Sequence, residues 1–409
     1  MNKNEKIPKL RSDIVFKIVE NGGKKNILLY DTSQIANQPL LFPEEFASIL
    51  QFFDGRTTLG QLEKIVAQNY TGDVQEFMRY FVNLIEDLNL LCYLETPFYY
   101  KIRDDFIAYM NSPIRKSFCS GSSYPTDKTE AEKYFESIFS KTSIQESNPN
   151  VNAIIVPHID FVIGDSAHKV YAKAYSLIKN NNYDAFVILG TSHYGNSDYF
   201  MFTYKDFETP FGIAETDKEF IRELADFLPF ELTIDEQAHR FEHSIEFPVV
   251  CLQYLYKSAN IKIIPILVGS FHEFIYQNTL PSSNERITIF TDTLKRKVYE
   301  NFKKPLFIAS VDFAHVGRKF NDPFDGMEKI QEVKEFDNKL IEQIKNCNPN
   351  GFFEEVIKVQ DKYKICGLSP IYSLLSIVQP RKGTLLGYDY WDDSVNKSIV
   401  TFASFWFEA

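Results

Sequence analysis

From Val151 onward, short continuous apolar runs alternate with amphipathic stretches. The runs at 152–156, 185–189, 261–267, 306–311 and 384–388 have the length of strands buried on both faces of a parallel sheet. Between them, 168–179, 217–227, 244–257 and 327–345 repeat apolar positions at helical spacing. Residues 398–407 read as one more buried strand. This alternation predicts an α/β domain over 151–409, with a largely parallel central sheet flanked by helices.

The first hundred residues show another pattern. Apolar segments at 14–19 and 26–31 flank Asn21-Gly22-Gly23, a hairpin signal. Pro43 opens a helix that puts Phe46, Ile49, Leu50 and Phe53 on one face, closed by Gly55. Thr57 and Thr58 precede a second helix with Leu59, Leu62, Ile65 and Val66. Asp73 caps a third, aligning Val74, Phe77, Phe81, Leu84, Ile85 and Leu88. Residues 90–95 read as a wing strand. A hairpin, three helices and a wing predict a small α+β winged-helix domain at 1–100, joined to the larger domain by a polar linker and lead-in at 101–150. None of these helices is rich in Lys or Arg, so the unit is not read as a DNA reader.

Composition narrows the function classes. A chain of 409 residues is too long for one ordinary core, which agrees with two domains. A net charge of -11 with no long basic run argues against nucleic acid or an anionic membrane as partner. The five cysteines are widely spaced and form no CxxC pair, as expected for reduced thiols in a cytoplasmic protein. No run approaches the length of a membrane span, and residues 1–13 lack the apolar core of a signal peptide. There is no GxGxxG and no phosphate-binding loop.

The candidate chemistry lies at the ends of the apolar runs. His158, His193 and His315 each stand just past one. Ligands of open α/β sheets bind outside the carboxyl ends of the strands, so three imidazoles delivered there point to a metal. Cys366 comes after another apolar segment and precedes Ser369 and Pro370, a suitable cap and first turn for a helix. A thiol near a helix N-terminus is biased toward the thiolate, whereas a buried core cysteine is the plainer reading. Asp160 is close enough in sequence to orient His158, and Asp312 to hold His315 in one tautomer. His239, Glu242, His243 and Glu246 crowd into one stretch. They supply a general acid or base or a hydrogen bond to substrate, or else merely cap a helix with a solvated face.

Together these segments resemble the Memo-like family, also called AmmeMemoRadiSam system protein B. The matching motifs are Val156-Pro157-His158, Gly190-Thr-Ser-His193, Glu242-His-Ser-Ile-Glu246, Ile264-Pro-Ile-Leu-Val-Gly269, Ser310-Val-Asp-Phe-Ala-His315 and Ile365-Cys-Gly367, with Ser120-Gly-Ser-Ser-Tyr-Pro125 before them. They run in the family's order from about residue 111. The resemblance implies a class III extradiol dioxygenase-like fold and an iron or copper ion held by His158, His193, His315 and Cys366. Ring-cleaving dioxygenases have a carboxylate where this chain has the cysteine, and a thiolate moves the preference toward copper(I) or a different iron reactivity. Thr191 stands where the family often has Pro, and Tyr194 where some members carry a second His. In this reading His243, Asp312 and Glu242 handle protons or hold the ligands.

Residues 53–58 and the Leu59/Leu62 helix resemble the peptide-binding winged-helix modules of the PqqD type. That implies a peptide or protein partner, and the family name associates radical-SAM and AMMECR-type proteins. The expectation is an iron- or copper-dependent oxidoreductase acting on a peptide or small molecule in a radical-SAM-associated system. The alternative is a non-catalytic peptide-binding or scaffold protein using the same pocket. A zinc hydrolase is a weaker reading, because three His and a thiolate fill all four zinc positions.

Overall fold

Strands buried along their whole length need an apolar layer on each face of the sheet. The computed structural model supplies both layers. It describes residues 2–408 except 22, 34, 37, 143–147 and 258–260, and the side chains of 21, 45 and 46 also fall outside it. Gly22 of the hairpin signal and the Phe46 side chain of the expected helix face therefore lie outside the described residues. The chain divides into two units, Met1–Asn111 and Ser112–Ala409. Among the described residues, no helix is long and apolar enough to cross a membrane.

In the first unit, β1 (Ile14–Asn21), β2 (Lys24–Asp31) and β3 (Leu40–Pro43) form an antiparallel sheet in that order. A 3-10 helix at Glu44–Phe52 precedes α1 (Leu59–Asn69), α2 (Val74–Leu90) and α3 (Pro97–Asn111). Thr58 and Gln61 form a reciprocal capping box on α1, and Asp73 caps α2. Leu59, Leu62, Val66, Phe81, Leu84, Ile85 and Leu88 close a core with Leu29, Phe42 and Phe53. The wing strand expected at 90–95 does not form. Leu90 ends α2, Cys92 turns the chain at a φ of 61°, and Leu94 makes a single bridge to Leu10. Tyr93 and Leu94 are apolar because they are buried, not because they pair.

Residues 101–150 are the stretch expected to be linker and lead-in. They hold most of α3, then β4 (Ile114–Arg115) and α4 (Lys128–Phe139), the last two within the second unit. The second unit continues with β5 (Val151–Val156), α5 (Asp165–Ile178), β6 (Ala185–Thr191), β7 (Phe200–Phe202), β8 (Asp206–Thr209), β9 (Gly212–Thr216) and α6 (Lys218–Phe227). Next come β10 (Thr233–Ile234), α7 (Glu236–Arg240), α8 (His243–Tyr256), β11 (Lys262–Val268), α9 (His272–Tyr276) and α10 (Glu285–Asn301). The unit closes with β12 (Pro305–Ser310), β13 (His315–Gly317), α11 (Ile330–Lys345), α12 (Pro349–Lys358), α13 (Leu368–Val378), β14 (Lys382–Asp393) and β15 (Ser398–Glu408).

These strands make one sheet in the order β13-β15-β5-β12-β6-β11-β9-β8-β4, with β14 beside β15 and β7 beside β11. Its centre, β5-β12-β6-β11, is parallel. Alternate residues feed two cores. Ala153, Ile155, Val187, Leu189, Phe307 and Ala309 face one; Ile154, Val156, Phe186, Ile188, Leu306 and Ile308 face the other. The run at 384–388 departs from the parallel pattern, for it lies inside β14, which pairs antiparallel with β15. β15 in turn pairs antiparallel with β5.

One polar group is sealed under this layer. Asp337 of α11 is buried and accepts a hydrogen bond from the Tyr388 hydroxyl of β14 at 2.7 Å. Burial pushes its pKa up from 3.8 to about 6. The folded state therefore holds this proton more tightly than the unfolded one. The associated stability is complete below about pH 4 and is lost as pH rises through 6. Asp337→Asn should remove a loss on the order of 3 kcal/mol between pH 4 and 7. Urea denaturation of both proteins across that range checks it, and parallel pH profiles would refute the assignment.

Candidate metal centre

Adjacent parallel strands that end together deliver the residues beyond them to one edge of the sheet. β5 leads through Pro157 to His158, β6 through Ser192 to His193, and β12 through a turn to His315. The N-terminus of α8 closes on the same edge. It comes this near because β6 carries Gly190, where a Cβ would stand 2.4 Å from the Ser244 Oγ. That hydroxyl instead donates to the Thr191 carbonyl at 2.8 Å. Glu242, the N-cap of α8, and His243 thereby reach the strand ends.

Each strand-end imidazole has its Nδ1 anchored. His158 Nδ1 lies 2.9 Å from the Ser310 carbonyl, and His315 Nδ1 3.1 Å from the Phe313 carbonyl. His193 Nδ1 lies 3.0 Å from the Glu242 carboxylate, which also accepts the His193 backbone N–H at 2.8 Å. Carbonyls and carboxylates only accept, so Nδ1 carries the proton and Nε2 the lone pair in the neutral rings. Ligating histidines are typically anchored in this way. The Cys366 Sγ stands 3.1 Å from His158 Nε2 and 3.5 Å from His193 Nε2. Cys366, His193 and His315 line one cavity of about 490 Å³.

His243, expected to handle protons, sits within the imidazole cluster itself. Its ring centroid is 4.9 Å from those of both His158 and His193, and it stacks on His193. One ring nitrogen from each of His158, His193 and His243 lies within 4.8 Å of the others. Only the crowding of His, Glu and Ser around 239–246 hinted at this; the strand-end rule does not reach a helix N-terminus.

Several supporting roles differ from expectation. Asp160 does not hold His158: its carboxylate takes the Ser123 hydroxyl at 2.8 Å and the Val162 N–H at 3.1 Å. Asp312 serves His158 and not His315, accepting the backbone N–H of His158 and of Ile159, both at 3.1 Å. The solvated-face reading of 239–246 fails, because His239, Glu242 and Glu246 are all buried. His239 turns to the Met201 carbonyl at 3.1 Å. Glu246 pairs with buried Arg115, which also donates to the His239 and Glu242 carbonyls. Glu246 further binds the Tyr124 hydroxyl and the N–H groups of Phe118 and Cys119. Ser369 does not cap α13. The helix begins at Leu368, and the Ser369 hydroxyl accepts the Phe271 N–H at 3.1 Å. Gly367 lets the Cys366 turn sit against β12, for a Cβ there would meet the Val311 Cβ at 2.8 Å.

Burial dominates the titration of these groups. It holds His158 well below the ordinary histidine range, helped by its imidazole neighbours, lowers His243, and brings His315 down to about 4. Burial raises Asp312 to about 7 despite its two N–H partners. His193 and Glu242 go the other way. Burial opposes both charges, yet hydrogen bonds to Cys366 and Glu242 push His193 up to about 11, and His193 pulls Glu242 down to about 2. The protein without a metal thus keeps one positive charge among otherwise neutral rings.

The family model described as Memo-like protein matches residues 115–406, which contain every residue of this cluster. The chain belongs to the Memo-like family. A MEMO1 family protein of Aquifex aeolicus is 30% identical over 374 residues, covering 90% of this chain and 92% of that protein. That share is larger than the second unit alone can supply, so the likeness extends into the first. A MEMO1 family protein of Methanosarcina barkeri is 29% identical over 265 residues, 64% of this chain and 86% of its own length. One of Thermococcus kodakarensis is 29% identical over 265 residues, 62% and 84%. The Memo-like match begins at Arg115, whose guanidinium braces the Glu242 segment.

The electrostatics predict the effect of one substitution. Glu242→Gln removes one of the two groups, beside Cys366, that hold the proton on His193. In metal-free protein the His193 pKa, tracked by NMR, should drop below about 11, the rest of its rise being held by Cys366. An unchanged titration would show that Glu242 does not hold that proton.

Proposed function

We propose that this Memo-like chain binds one iron or copper ion through His158, His193, His315 and Cys366 and acts as an oxidoreductase on a peptide or small molecule. The spacing of the donors carries the reading. Two ligands each about 2.0–2.3 Å from one ion stand roughly 3.3–3.6 Å apart. The Cys366 Sγ lies 3.1 and 3.5 Å from two anchored imidazoles. The charge pattern also favours a cation: where the free protein keeps a proton on His193 beside Glu242, a metal ion meets the same demand. The mixed thiolate and imidazole set suits iron or copper. When bound, the ion supplies electron transfer to oxygen or substrate.

The chain supplies the rest. The Ser310 and Phe313 carbonyls and the Glu242 carboxylate fix the ring orientations. His243 is half-buried against the cluster and its pKa is lowered by burial, so its role is to accept a proton from a substrate held at the centre. Asp312 fixes the turn that carries His158 through the N–H groups of His158 and Ile159.

A second reading, a peptide-binding or scaffold protein, rests on the first unit. β1 is an edge strand with Phe16 and Ile18 exposed, and an apolar edge of that kind accepts an added peptide strand. Such docking fits a PqqD-like module, and radical-SAM or AMMECR-type proteins are candidate partners. Oxygen consumption by the metal-loaded protein separates catalysis from scaffolding.

Metal analysis of anaerobically purified protein tests the site. Cys366→Ser should lower bound metal at least tenfold while leaving apo-protein stability within about 1 kcal/mol, since a hydroxyl is a poor soft-metal ligand of nearly equal size. Full metal retention would remove Cys366 from the centre. His243→Gln should keep the metal and slow turnover roughly a hundredfold, the usual scale of general-base loss. Loss of metal in that variant would make His243 a ligand.

A further inference from the structure

We propose that Ser270, His272 and Asp361 form a second reactive centre on the wall of the same cavity, a serine nucleophile that takes the acyl group of a small carboxylic ester. The proposal does not depend on the metal reading.

His272 stands just past the end of β11, the fourth of the adjacent parallel strands. Its Nε2 lies 2.8 Å from Asp361 Oδ2 and its Nδ1 2.7 Å from Ser270 Oγ. The carboxylate can only accept, so Nε2 carries the proton and the Nδ1 lone pair faces the serine hydroxyl. This is the nucleophile, base and orienting acid of a Ser-His-Asp triad, with the two ring nitrogens exchanged relative to the serine-protease arrangement.

The parts are held rigidly. Asp361 is buried, and its second oxygen accepts the Ile365 N–H at 2.9 Å. It also has a φ of 46°, a conformation an L-residue adopts when its surroundings impose it. The three N–H groups of the nucleophile loop are all engaged. Ser270 donates to Asn196 Oδ1 at 2.9 Å, Phe271 to Ser369 Oγ at 3.1 Å, and His272 to Ser270 Oγ at 3.2 Å. The Phe271 bond ties the loop to the first turn of α13. Leu368 and Ser369 of that turn also line the cavity, so the helix dipole favours negative charge developing there.

Ser270, His272 and Asp361 all line the cavity, and Val268, Ile275, Ile365 and Leu368 give it an apolar wall for a short acyl chain. In the first step His272 Nδ1 takes the Ser270 proton as Oγ bonds to the ester carbonyl carbon. The ester C–O bond then breaks, and the alcohol leaves with that proton. Water next attacks the acyl carbon and gives a proton to His272. The C–Oγ bond breaks, the free acid departs, and Ser270 recovers its hydrogen.

A biotinylated fluorophosphonate tests the centre in full-length, chelator-treated protein. Intact mass and peptide mapping should show one adduct, on Ser270. Ser270→Ala should give none and should no longer hydrolyse p-nitrophenyl butyrate. His272→Gln and Asp361→Asn should label at least tenfold more slowly, with urea midpoints like the parent's showing that they fold. Absence of an adduct, an adduct on a different residue, or an unchanged rate in His272→Gln would overturn the proposal. Metal content of Ser270→Ala should equal that of the parent, which keeps this test distinct from that of the metal centre.

Discussion

Parallel strands that lie side by side end on the same side, and the rest of the second unit depends on that constraint. β5, β12, β6 and β11 run together, so the residues after them share one edge. Polar side chains gathered there stand between two apolar layers and are largely removed from water. Each imidazole must then be neutral or meet a charge close by. His158, His243 and His315 take the first course; His193, between Glu242 and Cys366, takes the second.

The acidic side of that balance needs its own support, because a carboxylate in the interior is costly without partners. Glu242 has the His193 ring, two N–H groups and the start of a helix. Glu246, one turn on, is matched by Arg115, whose guanidinium also grips the backbone on both sides of Phe241. The short strand at Ile114–Arg115 thus acts as a brace that fixes where α8 starts, and with it His243.

The sheet was legible in the sequence because its central strands are apolar on both faces, and the period of the flanking stretches marked α5, α6, α8 and α11. Strands β7 to β10 are only two to five residues long, and β8 and β9 are half polar, so they left no such trace. At 90–95, an apolar segment looked like a strand because burial in a turn and burial in a sheet demand the same side chains. The site was legible in part for the same reason. His158, His193 and His315 come after long runs, whereas Cys366 sits in the turn between α12 and α13, where no such run marks it. His272 obeys the same rule after β11, yet an exposed ring beside a polar Ser-Phe-His turn does not stand out. That His243 lies among the imidazoles was not legible, because its distance from the strands is set by Gly190 and Arg115, contacts that are remote in the chain. The roles of Asp160 and Asp312 were misassigned because sequence proximity cannot say which of two neighbouring turns a carboxylate faces.

The register of the central sheet also bears on how the protein reaches its native state. Ala153 pairs with Phe307, and Ile155 with Phe405. Both pairings join residues separated by much of the domain, and loops of that length are slow to close. The hairpin of β14 and β15 and the α11–α12 pair are local, so closing them costs less chain entropy than joining the sheet that unites them. The imidazoles come together only when the β5–β12–β6 triplet is in register. The centre therefore depends on the long-range pairings, and locally formed helices and hairpins alone would not create it.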